Sequence, residues 1–190
     1  MRNDFPSVIL VNARSLFPKF SELCLLVSSI RPGIVFIMES WLHANVNDDC
    51  IALPDYALYR CDRRGRVGGG VCIYISNCIG CVRDFSCDPP PTIEAVSLRI
   101  PSLKLFVVCA YVPPNLRSNE SDKISEYFTE SLDVQLSAFP DTNLMIAGDF
   151  NTFDTSILSV NFSLQNSVVT PTRNQSVLDQ IWVNSDLCIY

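Results

Sequence analysis

The chain has no apolar stretch long enough to cross a bilayer. Its longest clean run, residues 105–112, is closed by Pro113 and Pro114, whereas a spanning helix needs about 20 residues. No charged and then apolar leader precedes the first strand-like run at residues 8–12, and the nine cysteines form an odd set. Secretion and a disulfide framework are therefore not expected, and the thiols are read as reduced. Basic charge is also scarce. Fourteen Lys and Arg stand against 20 Asp and Glu, a net charge of −6, which argues against a general nucleic-acid coat protein. With no internal repeat, low-complexity tract or linker, residues 1–190 are read as one domain.

What the chain does have is 48% hydrophobic and 18% charged residues over 190 positions. A globular domain of that size buries roughly two-thirds of its unfolded surface and needs no covalent staples. Residues 7–13 form a continuous apolar run ending near Asn12, the pattern of a strand buried on both faces. Leu16, Phe20, Leu23, Leu26 or Val27, and Ile30 then recur at helical spacing until Pro32 and Gly33 stop them. A second buried run, residues 34–38, ends at Glu39. The middle of the chain changes character. Residues 57–61, 71–76, 79–85, 93–100 and 103–111 are short strand candidates separated by Gly, Pro, Asn or Asp, a spacing that suggests antiparallel neighbours. An amphipathic helix follows, with Ile124, Tyr127, Phe128, Leu132 and Leu136 on one face. Residues 144–147 and 177–183 are the last strand candidates.

Polar groups stand at the ends of the buried runs: Asn12, Glu39, Asp149 with Asn151, and Asp179. Strand ends are where α/β folds bind ligands, because rigid strands hold side chains there. Singly, each has a plain structural reading, the asparagines as turn or helix caps and Glu39 as a solvated carboxylate. Together, carboxylates converging on one rim repel one another unless a hard divalent cation lies between them, and Mg²⁺ suits so few protein carboxylates.

Asn12-Ala-Arg-Ser-Leu, Glu39-Ser-Trp-Leu, Tyr59-Arg-Cys-Asp-Arg-Arg-Gly-Arg with Gly68-Gly-Gly-Val, Tyr111-Val-Pro-Pro, Gly148-Asp-Phe-Asn and Leu178-Asp-Gln-Ile occur in one order. That order resembles the endonuclease/exonuclease/phosphatase family, in particular the endonuclease domain of LINE-type non-LTR retrotransposons, which is similar to apurinic/apyrimidinic endonucleases and deoxyribonuclease I. The resemblance implies a four-layer α/β sandwich, two mixed β-sheets face to face with helices outside. It also implies hydrolytic nicking of DNA, with Mg²⁺, or Mn²⁺ as a substitute, and no small-molecule cofactor. Glu39 would hold the metal with Asn12 close by. Asp149 would orient or deprotonate water, Asn151 would hold a phosphate oxygen, and Tyr111 would place its hydroxyl near the phosphate. Without the resemblance, Tyr111 reads as a half-buried strand-end tyrosine.

Members of the family close the site with a C-terminal Ser-Asp-His motif, oriented by the aspartate that Asp179 matches. The sequence to Tyr190 lacks it, so the expectation is a domain truncated at its C-terminus, missing its last strand, with Asp179 lacking its histidine. His43, the single histidine, is read as a surface loop residue rather than a metal partner of Glu39. Arg60, Arg63, Arg64 and Arg66 fall just before three glycines. They read equally as a solvated hairpin loop leading into a bulge or as a DNA-backbone contact, and the resemblance tips them toward DNA. Cys78 and Cys81 form a C-x-x-C without a second pair, and buried free thiols are expected there. The expected protein is thus a monomeric Mg²⁺-dependent endonuclease domain, intracellular and acting in the nucleus. It would nick target DNA to prime reverse transcription by a reverse transcriptase domain elsewhere in the element. The alternatives are an inactive DNA-binding or vestigial fragment, and a phosphatase or phosphodiesterase of the same superfold.

Overall fold

The computed structural model describes residues 5–172 and 176–184, so Cys188 lies outside the described residues. Its first sheet holds β1 (Val8–Asn12), β2 (Ile34–Met38), β3 (Tyr56–Cys61) and β4 (Val71–Ser76) in the order β1-β2-β4-β3. The second holds β5 (Glu94–Ile100), β6 (Leu105–Tyr111), β7 (Asn143–Asp149), β8 (Gln165–Asn166) and β9 (Asp179–Val183) in the order β5-β6-β7-β9-β8. Each sheet is mixed, with one parallel pair, β1 with β2 and β6 with β7, among antiparallel neighbours. Helix α1 (Phe20–Ile30) packs on the outer face of the first sheet, and α2 (Ser118–Ala138) and α3 (Ser156–Phe162) on that of the second.

Four layers require strands buried on both faces, which is why the runs read as continuously apolar. Ile34, Phe36 and Met38 of β2 face the second sheet, while Val35 and Ile37 face α1. Leu105, Val107 and Cys109 of β6 face the first sheet, and Phe106, Val108 and Ala110 face α2. Each buried Val, Leu, Ile, Phe or Met among them contributes about 1.5–3 kcal/mol by leaving water.

Three expectations are corrected. Residues 79–85 form no strand; Val82 alone makes a bridge, to Arg99. Asp84 instead caps a 3-10 turn (Phe85–Cys87) by accepting from the Ser86 amide at 3.0 Å, local bonding that competes with a ladder. On α1 the buried stripe is Leu23 and Val27, while Leu26 and Ile30 are exposed. The C-x-x-C thiols are not both buried: Cys78 is exposed and Cys81 is half-buried, meeting the Tyr59 hydroxyl at 3.2 Å.

Candidate active site

Period-two alternation decides which polar side chains meet. In β1, Val8 and Leu10 point between the sheets, so Asn12 does too; in β7, Met145 and Ala147 do the same for Asp149. Ile181 and Val183 carry Asp179 to that face, and Val96, Leu98 and Ile100 carry Glu94. Register then aligns Glu94 with Tyr111, Tyr111 with Asp149 and Asp149 with Asp179. One row of four polar side chains crosses the rim of the second sheet. Gly148 lets that rim form, since a Cβ there would lie 2.1 Å from the Ala110 carbonyl oxygen.

Asn12 joins the two sheets. Its Nδ2 donates to Glu39 Oε1 at 3.2 Å and to Asp149 Oδ2 at 2.8 Å. Only the NH₂ end of an amide can sit between two carboxylates, so its Oδ1 faces elsewhere, buried and without a hydrogen-bond partner among the described residues. Asp149 is fully buried, and its Oδ1 accepts from the Asn151 amide at 3.1 Å. The Asn151 side chain donates to the Val112 carbonyl at 2.8 Å. Glu39, by contrast, is half-buried, with Oε2 accepting from Trp41 Nε1 at 3.3 Å.

The chain around Glu39 leaves the strand abruptly. Glu39 has φ 48° and Trp41 φ 54°, left-handed conformations that cost about 1–3 kcal/mol each and persist only where surroundings enforce them. Here Ser15 N donates to Glu39 O at 2.9 Å, Ser40 N to Gly70 O at 3.1 Å and Trp41 N to Gly69 O at 2.9 Å. The glycine run is the floor of this arrangement. A Cβ on Gly70 would lie 2.7 Å from Ser40 Oγ, and one on Gly69 would lie 2.3 Å from both the Arg63 guanidinium and Glu94 Oε2. Gly69 and Gly70 are therefore packing glycines, buried against protein.

The four arginines of the loop separate. Arg60 is spent internally, on Asp48 (2.6 Å), Asp62 (2.7 Å) and the carbonyls of Val46 (3.0 Å) and His43 (3.1 Å). Arg63 turns into the rim: its Nε meets Glu94 Oε1 at 2.5 Å, its guanidinium lies 5.2 Å from the Tyr111 ring centroid, and its Nη2 is buried without a partner. Arg64 and Arg66 are exposed, as is His43. Burial first, then the Glu39 charge, pushes the Tyr111 phenol above its ordinary value, against the opposing pull of Arg63. It is a protonated donor at neutral pH.

The sequence patterns missed Glu94. Its signal was its alternation with Val96, Leu98 and Ile100 on the inner face, but its partner Arg63 is 31 residues away, a pairing that no local pattern encodes.

Asn12 Oδ1, Ser40 Oγ, Arg63 Nη2 and Asp179 Oδ1 are buried without hydrogen-bond partners among the described residues. Such atoms are uncommon in native proteins, and grouped at one rim they mark a place for a ligand. Among the described residues no three His, Cys, Asp or Glu side chains are grouped to hold an ion alone. A divalent cation here would draw on Glu39, water and substrate oxygens, with Asn12 close by through its contact with Glu39. That all-oxygen set with few protein ligands fits Mg²⁺.

The chain belongs to the Endonuclease/Exonuclease/phosphatase family, whose model matches residues 10–190. That is a family of hydrolytic nucleases and phosphatases. Among solved structures, the fold is similar to the endonuclease domain of TRAS1, a telomere-specific non-LTR retrotransposon. The TM-score is 0.69 at 16% identity, over 96% of this chain and 86% of that one. It is similar to an AP endonuclease from Archaeoglobus fulgidus, with a TM-score of 0.63 at 13% identity over 93% and 86%. It is also similar to the mannosyl-6-phosphatase Bt3783 of Bacteroides thetaiotaomicron, with a TM-score of 0.63 at 14% identity over 95% and 85%. No curated protein sequence matches the chain.

Proposed function

We propose that the chain is a divalent-metal-dependent DNA endonuclease that nicks target DNA for a retrotransposon. The observation that carries this reading is the Asn12 amide bridging Glu39 and Asp149 from the two sheets, at 3.2 and 2.8 Å, with its own carbonyl left buried and unpaired. Asp149, fixed on one side by Asn12 and on the other by the Asn151 amide, takes a proton from water as the water oxygen attacks phosphorus. The P–O3′ bond breaks, and the 3′-oxygen leaves as a hydroxyl after taking a proton from solvent. Tyr111, kept protonated by burial and by Glu39, donates to a non-bridging oxygen, where charge builds. Glu39, with Asn12 close by, would hold Mg²⁺ or Mn²⁺, which when bound would supply charge neutralisation at the phosphate. The 3′-hydroxyl primes a reverse transcriptase domain of the same element, in the nucleus, and the nuclease domain acts as a monomer.

A second reading, a DNA-binding domain with impaired hydrolysis, draws on Asp179 Oδ1, which is buried without a partner among the described residues. Nicking of supercoiled plasmid in Mg²⁺ or EDTA, with Glu39→Ala and Asp149→Ala as controls, separates the two. Metal-dependent nicking lost in both variants is the expected result. A folded protein that binds plasmid and never nicks it overturns the endonuclease reading.

A further inference from the structure

Two clefts open outward from the rim. One, of about 430 Å³, lies between the arginine loop and the start of α2 and is lined by Tyr111, Arg66, Arg117 and Lys123. The other, of about 780 Å³, carries Arg63, Arg64, Arg66 and Arg83. They adjoin along Arg66, Thr92, Ile93, Glu94 and Glu120, so together they make one groove leading away from Tyr111.

The charges in this groove do not cancel. Asp62 is held by Arg60 at 2.7 Å, and Glu94 by Arg63 Nε and the Gly70 amide, both at 2.5 Å. Arg83 is paired with Asp88 at 3.1 Å. Glu120 uses its carboxylate on the Arg117 backbone amide at 2.9 Å, an N-terminal cap for α2. Arg64, Arg66, Arg117 and Lys123 are exposed and make no ion pair among the described residues. A chain of net charge −6 thus gathers four unpaired cations in one groove, against the single carboxylate of Glu120. Leu116, Ile124 and Pro113 line the same cleft and offer apolar surface between the charges.

We infer that this groove seats the sugar-phosphate backbone of the DNA strand flanking the scissile phosphate, with Arg66, Arg117 and Lys123 each facing a phosphate beyond the reaction centre. The inference rests on the proposed phosphodiester chemistry at Tyr111 and Asp149, and it names the surface that makes the substrate a polymer. A small phosphate ester fills the rim alone and leaves Arg117 and Lys123 without a role. Arg60 takes no part, being tied to Asp48 and Asp62, and Arg63 serves the rim rather than the groove.

The test is fluorescence anisotropy of the full chain with a labelled DNA duplex in EDTA, from 50 to 200 mM NaCl, so that binding is read without cleavage. The combined variant Arg66→Ala/Arg117→Ala/Lys123→Ala should weaken binding at least tenfold at low salt. It should also flatten the slope of log affinity against log salt by about three, about one per lost phosphate contact. The pair Arg31→Ala/Lys104→Ala, which lines neither cleft, should leave both quantities unchanged. All five are surface side chains, and a thermal melt verifies that each variant is folded. An unchanged slope in the groove variant, or an equal loss in the Arg31/Lys104 pair, overturns the inference. Plasmid nicking by the parent is scored separately. Nicking with an unaffected groove variant leaves the nuclease reading standing and the groove refuted; groove-dependent binding without nicking does the reverse.

Discussion

The second sheet presents Tyr111, Asp149 and Asp179 from the terminal residues of its strands, side by side in register, and β1 presents Asn12 in the same way, whereas Glu39 stands one residue beyond the end of β2. Asp149 is fully buried and bonded on both oxygens. Glu39 is half-buried in a left-handed conformation, its carbonyl accepting from Ser15 N, while the next two residues, Ser40 and Trp41, donate to the glycine run. The strand-borne half of the rim is therefore fixed by the ladders themselves, and the half that carries Glu39 by a loop that other loops constrain. In the proposed mechanism the general base, Asp149, lies on the fixed half, where its position is least variable. The group proposed to meet a cation and its water, Glu39, lies on the half held by loops.

Glycine substitutions break this comparison most severely. In Gly148→Ala the new methyl meets the Ala110 backbone, at 2.1 Å from its carbonyl oxygen, and neither ladder strand can yield. A loss of ~3 kcal/mol or more is expected. In Gly69→Ala the methyl meets the ends of Arg63 and Glu94, which can rotate away. With φ at +63°, that change should cost about 1–2 kcal/mol. Urea midpoints of the two variants measure the difference. Equal losses would mean that the loop half is as rigid as the ladder half.

Both sheets bury a thiol, Cys72 in β4 and Cys109 in β6, and burial pushes each well above the ordinary thiol value of 9.0. A folded-state value raised in this way gives stability that is complete below pH 9 and lost as pH rises through the folded value. The unfolded chain ionises first and gains ~1.4 kcal/mol per thiol per pH unit. The tyrosines Tyr74 and Tyr127, also raised by burial, join above pH 10. The urea midpoint should be flat in this respect up to pH 8 and fall between pH 9 and 11. Replacing Cys72 or Cys109 by Val should each soften the fall. If only one does, the other sheet admits solvent to its core.

Much of the rim was legible in the chain because a buried strand leaves a plain signature, an apolar run ended by a polar residue. Asn12, Glu39, Asp149 and Asp179 were located that way, and β4 coincides with the expected residues 71–76. Asp149 and Asn12 come within 2.8 Å although 137 residues apart; the alternation fixed which face each occupies but not which strands adjoin. The segment 79–85 misled because its apolar residues carry no information about the Asp84 turn that ends pairing. Helix α3 and the two-residue β8 were not anticipated at all, being too short for periodicity to register. The four arginines looked alike as a cluster, yet Arg60 and Arg63 are committed to acids 12 and 31 residues away. Only the fold distinguishes them from Arg64 and Arg66.

The sharpest version of the comparison pairs Asp149→Ala with Glu39→Gly. Both remove a carboxylate from the rim and should reduce nicking by ~10²–10⁴, the range for a lost base or a lost electrostatic contact. Their effects on folding should differ. Without Asp149, the Asn12 amide and the Asn151 N–H lose a buried acceptor, which costs about 1–3 kcal/mol. Without Glu39, Asn12 keeps its shorter bond to Asp149, and the left-handed backbone at φ 48° passes to the one residue that adopts it without strain. Glu39→Gly should therefore remain within ~1 kcal/mol of the parent, or exceed it, while losing the same activity. Chemical denaturation of the two variants side by side decides the point. If Glu39→Gly unfolds as readily as Asp149→Ala, the left-handed turn is not a strain tolerated for function but a contact that the fold itself requires.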